Sequence, residues 1–239
     1  MKKKQDMKAD LEWLTEEEGT IIFSENAMPW LTVQFFVTGE EEAEFRLQDV
    51  VFPEEWTKSD KVHKEIICKM TKCIKRTFRL LWDEGFEEVL LVEQKGSKWA
   101  EILSSTKVVQ KVYSEYMMCR YFEEEKSTGS GEPFLQITRE EKGYVCENEE
   151  QTFFCRLLPY ETKISGENCF YLYEVEVNQN KRNKGIATAC LTEVFRQLAC
   201  EAPLRIYLQV GSYNEPAVHL YQKLGFEVSE ELCYYALEE

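Results

Sequence analysis

The sequence predicts a mixed α+β fold, an α/β layered arrangement in which a mixed central sheet is flanked by helices. The same element order is used twice, over residues 1–125 and again over residues 126–239. Three observations predict it. Short alternating or compact apolar runs recur along the chain between turn-forming residues, as strands do. Residues 61–81 and 189–200 instead repeat apolar side chains at helical spacing. Each half then reads as strand, turn, long helix, strand, short helical segment and closing strand.

Taken in order, residues 1–19 are polar, with helical tendency around Leu11, Trp13 and Leu14. Residues 20–23 and 31–37 read as strands, the second closed by Thr38-Gly39-Glu40, and residues 43–52 as a strand stopped by Pro53. In 61–81 a helix would place Val62, Ile66, Ile67, Met70, Cys73, Ile74, Phe78 and Leu81 near one face, ended by Gly85. A compact buried strand over 88–92, a helical segment over 98–110 and an alternating strand over 111–121 complete the half. Residues 123–133 combine charge, serine and glycine, and read as a linker. Strands follow at 134–137, 143–146, 152–158 and 170–177, with a loop over 159–168. After a helix to about residue 200 come a strand at 204–210, a short helix at 217–224 closed by Gly225, and edge strands at 226–228 and 232–237.

Composition excludes several classes. The chain has 239 residues, 44% of them apolar, which is enough for a real core. A net charge of -15 disfavours general nucleic-acid binding. Nine cysteines without a CxxC pair and only two histidines argue against a structural zinc, and no metal site is expected. The opening MKKKQDMKADLEW is basic but lacks the apolar stretch of a signal peptide, and no apolar run is long enough to span a bilayer. The expected setting is the reducing cytoplasm, with no membrane partner, as a monomer or homodimer.

The chemistry is concentrated in Asn178 and the residues after it, NQNKRNKGIATACL, a basic glycine-containing turn between a strand and a helix. A helix start presents unpaired N–H groups and the positive end of a dipole, and Lys181, Arg182 and Lys184 stand beside it. That suits a phosphate or pyrophosphate, although an exposed basic turn is the plainer reading. Neither the nucleoside-triphosphate loop nor the dinucleotide fingerprint fits. Arg182-Asn183-Lys184-Gly185-Ile186-Ala187 does resemble the acetyl-coenzyme A loop of the Gcn5-related N-acetyltransferase (GNAT) superfamily. Downstream, Asn214, Ala217, Tyr221 and Gly225-Phe226 resemble the second signature of the same superfamily, in order and at family spacing. The resemblance covers about residues 134–237. The first half reads as a degenerate copy: where the loop would fall, Phe52-Pro53-Glu54-Glu55-Trp56-Thr57-Lys58-Ser59-Asp60 has no glycine and several acids that would repel a pyrophosphate. An unrelated α+β extension is the other reading of that half.

The resemblance implies an N-acetyltransferase that moves acetyl from acetyl-coenzyme A to a primary amine by direct attack, the acceptor being a small molecule or a protein amine. It implies that backbone groups of Val175 and Val177 bind pantetheine and the acetyl carbonyl. It also implies that the backbone of Arg182, Asn183, Lys184, Gly185, Ile186, Ala187 and Thr188 holds the pyrophosphate, and that Asn214 orients the coenzyme or caps the next helix. Tyr221 matches the family's general acid toward the thiolate. Glu174 and Glu176 flank Val175 and are the candidates for base, with at most one lining the cleft beside Tyr171 and Tyr173. Phe154, Tyr160, Tyr171 and Tyr173 could shape an acceptor pocket, and His219 reads as structural or solvent-facing. A coenzyme-binding pseudoenzyme, a protein-interaction module, or an enzyme using another acyl thioester are the alternatives.

Overall fold

The computed structural model describes residues 7–25, 28–48, 60–123, 135–160, 168–198 and 203–238. The linker expected over 123–133 and the degenerate loop expected over 52–60 lie almost wholly outside these residues. Contacts divide the chain into two compact units, Met1–Ser114 with Leu232–Glu239, and Glu115–Glu231. This differs from a single cut after residue 125.

The first unit begins with an antiparallel meander of β1 (Lys8–Trp13), β2 (Glu18–Glu25), β3 (Met28–Val37) and β4 (Glu42–Leu47). The first of these corrects the helical tendency expected around Leu11. Helix α1 (Asp60–Asp83) then crosses to β5 (Glu88–Gln94), which runs parallel to β4 from Glu42↔Glu88 to Phe45↔Leu91. The helix buries Ile66, Met70, Cys73, Ile74, Phe78 and Leu81, its apolar stripe, against Ile21, Phe23, Leu31, Val33, Phe35 and Phe45 of the sheet. Gly85, at φ 106°, follows its end. Helix α2 (Lys98–Thr106) is capped by Ser97, whose hydroxyl accepts from Ala100 N–H at 3.0 Å. It stops earlier than expected, where Lys107 turns left-handed at φ 50°.

The second unit repeats this plan. Strands β7 (Leu135–Glu140), β8 (Gly143–Asn148), β9 (Phe153–Pro159) and β10 (Asn168–Val177) form the meander. Helix α3 (Ile186–Leu198) crosses to β11 (Leu204–Gly211), parallel to β10, and α4 (Glu215–Lys223) follows. Helices α3 and α4 place Cys190, Leu191, Val194, Phe195, Val218 and Tyr221 in one core with Cys155, Leu157, Leu172, Ile206 and Leu208.

The antiparallel strand beside each unit's parallel pair comes from the other half of the sequence. Strand β6 (Val109–Phe122) pairs with β11 from Leu204↔Phe122 to Gly211↔Glu115. The end of β12 (Glu227–Leu237) pairs with β5 from Leu232↔Gln94 to Tyr235↔Leu91. Strand β12 is one strand rather than the two edges expected, because Glu227 to Glu230 are exposed and interrupt the apolar alternation without interrupting the strand. Ser114-Glu115 and Glu231-Leu232 are the points where the chain passes between units.

Candidate active site

Strands β10 and β11 pair only from Asn168↔Leu204 to Tyr171↔Tyr207, and beyond that they part. On the other side of β10 the register with β9 shifts between Tyr173 and Glu176, and Glu174 adopts φ 50°. This is a β-bulge, with Glu174 and Val175 the residues outside the regular ladder. A non-glycine residue at positive φ carries strain, and such strain is held where the surroundings determine it. The parted strands and the bulge together leave backbone groups of β10 without ladder partners beside an open edge. No composition or periodicity signal marks Glu174 for this conformation.

The bulge separates the two candidate bases. Directly opposed residues of an antiparallel pair share a face. Tyr171 lies opposite Leu158, Tyr173 opposite Arg156 and Glu176 opposite Phe154, so Glu176 returns to the face of Tyr171 and Tyr173. Glu174, the inserted residue, places its carboxylate 2.9 Å from Arg156 Nε, and Arg156 also reaches Glu140 at 3.3 Å.

After β10 a short 3-10 turn, Gln179–Lys181, leads to the basic loop. Arg182 donates from Nε to the Val177 carbonyl at 3.1 Å, and its backbone N–H points to Gln179 O at 3.5 Å. That Val177 carbonyl is therefore engaged, and Arg182 serves first to close the turn. Asn183 and Gly185 take left-handed conformations, φ 60° and 77°. The first bond of α3 runs from Ala189 N–H to Gly185 O at 3.0 Å, so the N–H groups of Ile186, Ala187 and Thr188 precede the helical ladder. A Cβ at the exposed Gly185 would meet no atom within 4 Å, so the space beside it is open. Lys184 is exposed, and Lys181 pairs with Glu150 at 3.7 Å.

Tyr221 lies on α4, 7% exposed, with its ring 5.9 Å from that of Phe226. Burial, then the nearby Cys155 and Tyr171, push its phenol up to about 12. Tyr171 is also raised, by burial first and then by Glu115 and Tyr160, against a hydrogen bond that its hydroxyl accepts from the Gln209 backbone N–H. Gln209 lies two residues beyond the last β10–β11 pair, so the Tyr171 hydroxyl stands where the strands part. The Gln209 side chain in turn donates to Glu115. Asn214 accepts from Ala217 N–H at 3.4 Å and so caps α4, the second of the two roles expected for it. His219 is exposed. The thiols of Cys155 and Cys190 are both raised, the first chiefly by its hydrogen bond with Cys146 and by burial, the second by burial to about 11. Among the described residues no cluster of three His, Cys, Asp or Glu side chains could hold a metal ion. No helix among them is long and apolar enough to cross a membrane.

The raised phenol has a pH signature. The folded chain holds the Tyr221 proton to higher pH than the unfolded chain does. Its contribution to stability is therefore complete below the ordinary phenol value, about 10. It is lost as pH rises through about 12. Ultraviolet difference titration should show a tyrosine ionising near 12 that is missing from Tyr221→Phe. Loss of a component at the ordinary phenol value instead would reject this environment for Tyr221.

Sequence reasoning missed Glu115, Gln209, Tyr207 and Arg156. Alternation marks each as a strand residue, but only the pairing of β6 with β11 brings Glu115 to Gln209.

Residues 109–226 match the acetyltransferase (GNAT) family. A stretch of 65 residues is 31% identical to mycothiol acetyltransferase of Corynebacterium aurimucosum, covering 27% of this chain and 21% of that protein. The chain thus spans about a fifth of the length of that relative. A GCN5-related N-acetyltransferase of Sphaerobacter thermophilus superposes with TM-score 0.62 at 12% identity, over 93% of this chain and 81% of its own. A tandem GNAT protein from the clavulanic acid biosynthesis pathway gives TM-score 0.55 at 8% identity, over 91% and 82%.

Proposed function

We propose that this chain, which carries the GNAT superfamily fold with a tandem topology, is an N-acetyltransferase that moves acetyl from acetyl-coenzyme A to a primary amine. The observation that carries the reading is the parting of β10 and β11 after Tyr171↔Tyr207, with the α3 start at one end and Tyr221 among the core side chains below. The residues fit the coenzyme. The open space at Gly185 and the N–H groups up to Thr188 would take its pyrophosphate, and backbone groups of Val175 and Val177, other than the Val177 carbonyl that Arg182 holds, would take pantetheine and the acetyl carbonyl. The bound thioester supplies an activated acetyl group.

The chain's own groups then manage charge and protons. Tyr221 stays protonated across the physiological range and can donate to the leaving sulfur. Glu176 shares the face of Tyr171 and Tyr173 and is placed to accept the amine proton through water, whereas Glu174 is held by Arg156. Raised thiols at Cys155 and Cys190 disfavour a cysteine nucleophile, which supports direct attack by the amine. The proposed setting is the cytoplasm, with a small-molecule or protein amine as partner. Incubation with acetyl-coenzyme A and an amine library, read by mass, should yield acetylated amine and free coenzyme thiol in equal amounts. Tight coenzyme binding without transfer to any amine would replace this reading with that of a coenzyme-binding protein.

The first unit is proposed as a degenerate copy that binds no coenzyme. Its parallel pair also ends, at Phe45↔Leu91, but two residues further along β5 the buried Glu93 turns a carboxylate to Leu47 N–H at 3.4 Å and accepts from Ser97 at 3.2 Å. A buried carboxylate at the equivalent place opposes an anionic coenzyme and occupies a backbone donor. Calorimetry should give one acetyl-coenzyme A per chain, and two would overturn this reading.

A further inference from the structure

We propose that the acceptor is a diamine or polyamine, one nitrogen of which stays protonated against a row of tyrosines while a second, neutral nitrogen attacks. The proposal rests on the transferase reading above and names its substrate class. Tyr160 stands at the end of β9 with its ring 5.9 Å from Tyr171 and 5.0 Å from Tyr207, and Tyr171 lies 6.5 Å from Tyr173. Tyr171 and Tyr207 are the last paired residues before the strands part, so the row begins at the edge of the opening. Tyr160 is 39% exposed, and Tyr171, Tyr173 and Tyr207 are half-buried.

Tyrosine faces attract cations, and most strongly where water is partly excluded. A carboxylate is close: Glu115 acts on the Tyr171 phenol and accepts from Gln209. Of the two arginines on this face, Arg156 pairs with Glu174 and Glu140 and also hydrogen-bonds Tyr173 at one end of the row, and Arg205 lies over the ring of Tyr121 at 5.2 Å. A cationic nitrogen among Tyr160, Tyr171 and Tyr207 therefore meets three rings and the negative charge of Glu115, while Arg156 is held at the Tyr173 end by its two carboxylates. The attacking nitrogen must carry a lone pair, so one nitrogen cannot both sit in the row as a cation and react. Two nitrogens satisfy both demands. The neutral amine forms the C–N bond, the C–S bond breaks, the amine loses one proton to the carboxylate or water, and the thiolate takes one. The products are a monoacetylated diamine and the free coenzyme thiol.

The test compares 1,4-diaminobutane with n-butylamine, acetyl-coenzyme A being the donor and rates corrected for the neutral amine fraction. The diamine should show a kcat/KM higher by roughly tenfold or more, the scale of one or two cation–π contacts. Tyr207→Ala and Tyr160→Ala should erase most of that preference through KM, while Tyr207→Phe keeps it. Equal kcat/KM for the two amines overturns the proposal. Binding of 1,4-diaminobutane to the chain saturated with coenzyme A, measured by calorimetry, separates the two levels. Binding that weakens in Tyr207→Ala, without acetylation of either amine, supports the tyrosine row and counts against the transferase. Transfer to n-butylamine without diamine binding supports the transferase and overturns the row.

Discussion

Tyr221→Phe should lower the single-turnover rate of acetyl transfer by roughly 10² to 10⁴, the range for loss of a positioned acid. The substitution keeps the ring, and with it the packing against Phe226 and the α3 core. Stability below pH 10 and acetyl-coenzyme A affinity should therefore change little. What is lost is a donor that burial keeps protonated, and the loss should appear in kcat more than in KM because the proton is needed only as the C–S bond breaks. Slow product release can mask this in steady state, so the single-turnover rate is the measurement. A parental rate would remove Tyr221 from proton transfer and leave it a core aromatic.

Gly185→Glu should abolish acetyl-coenzyme A binding in a chain that still folds. The backbone at φ 77° disfavours any residue with a Cβ, at a cost of roughly 1–2 kcal/mol. No protein atom lies within 4 Å of the added Cβ, so the side chain has room in the free protein. On the proposed reading that room receives the pyrophosphate, and a carboxylate there would meet it with both bulk and like charge. Gly185→Ala separates the parts, since it carries the backbone cost without the charge. Calorimetry showing unchanged coenzyme affinity for folded Gly185→Glu would reject the loop as the pyrophosphate site.

Several levels of the architecture were written locally. The α1 stripe from Ile66 to Leu81 and the alternation of β11 follow from periods of 3.6 and 2, which depend only on neighbours along the chain. The turn after β10 is equally local, since a glycine able to take positive φ stands directly before a run of helix-compatible residues. Helix α4 likewise starts where Asn214 can cap it and Pro216 suits its first turn.

By itself, then, the sequence determined the element order, the helix start after the basic glycine turn, and the likeness of the two halves, because each depends on residues close together in the chain. The tertiary structure alone decided which edge each strand joins. Alternation makes β6 and β12 strands, but hydrogen bonding to β11 and β5 is settled by which unpaired backbone edge each one satisfies. It also decided the bulge at Glu174, where a non-glycine residue is held at φ 50° by the mismatch between β9 and β10, and so which carboxylate faces Tyr171. The meeting of Glu115, Gln209 and Tyr171 joins strands far apart in sequence. Local periodicity carries no information on such distant partners, whose approach is selected by the packing of the whole unit.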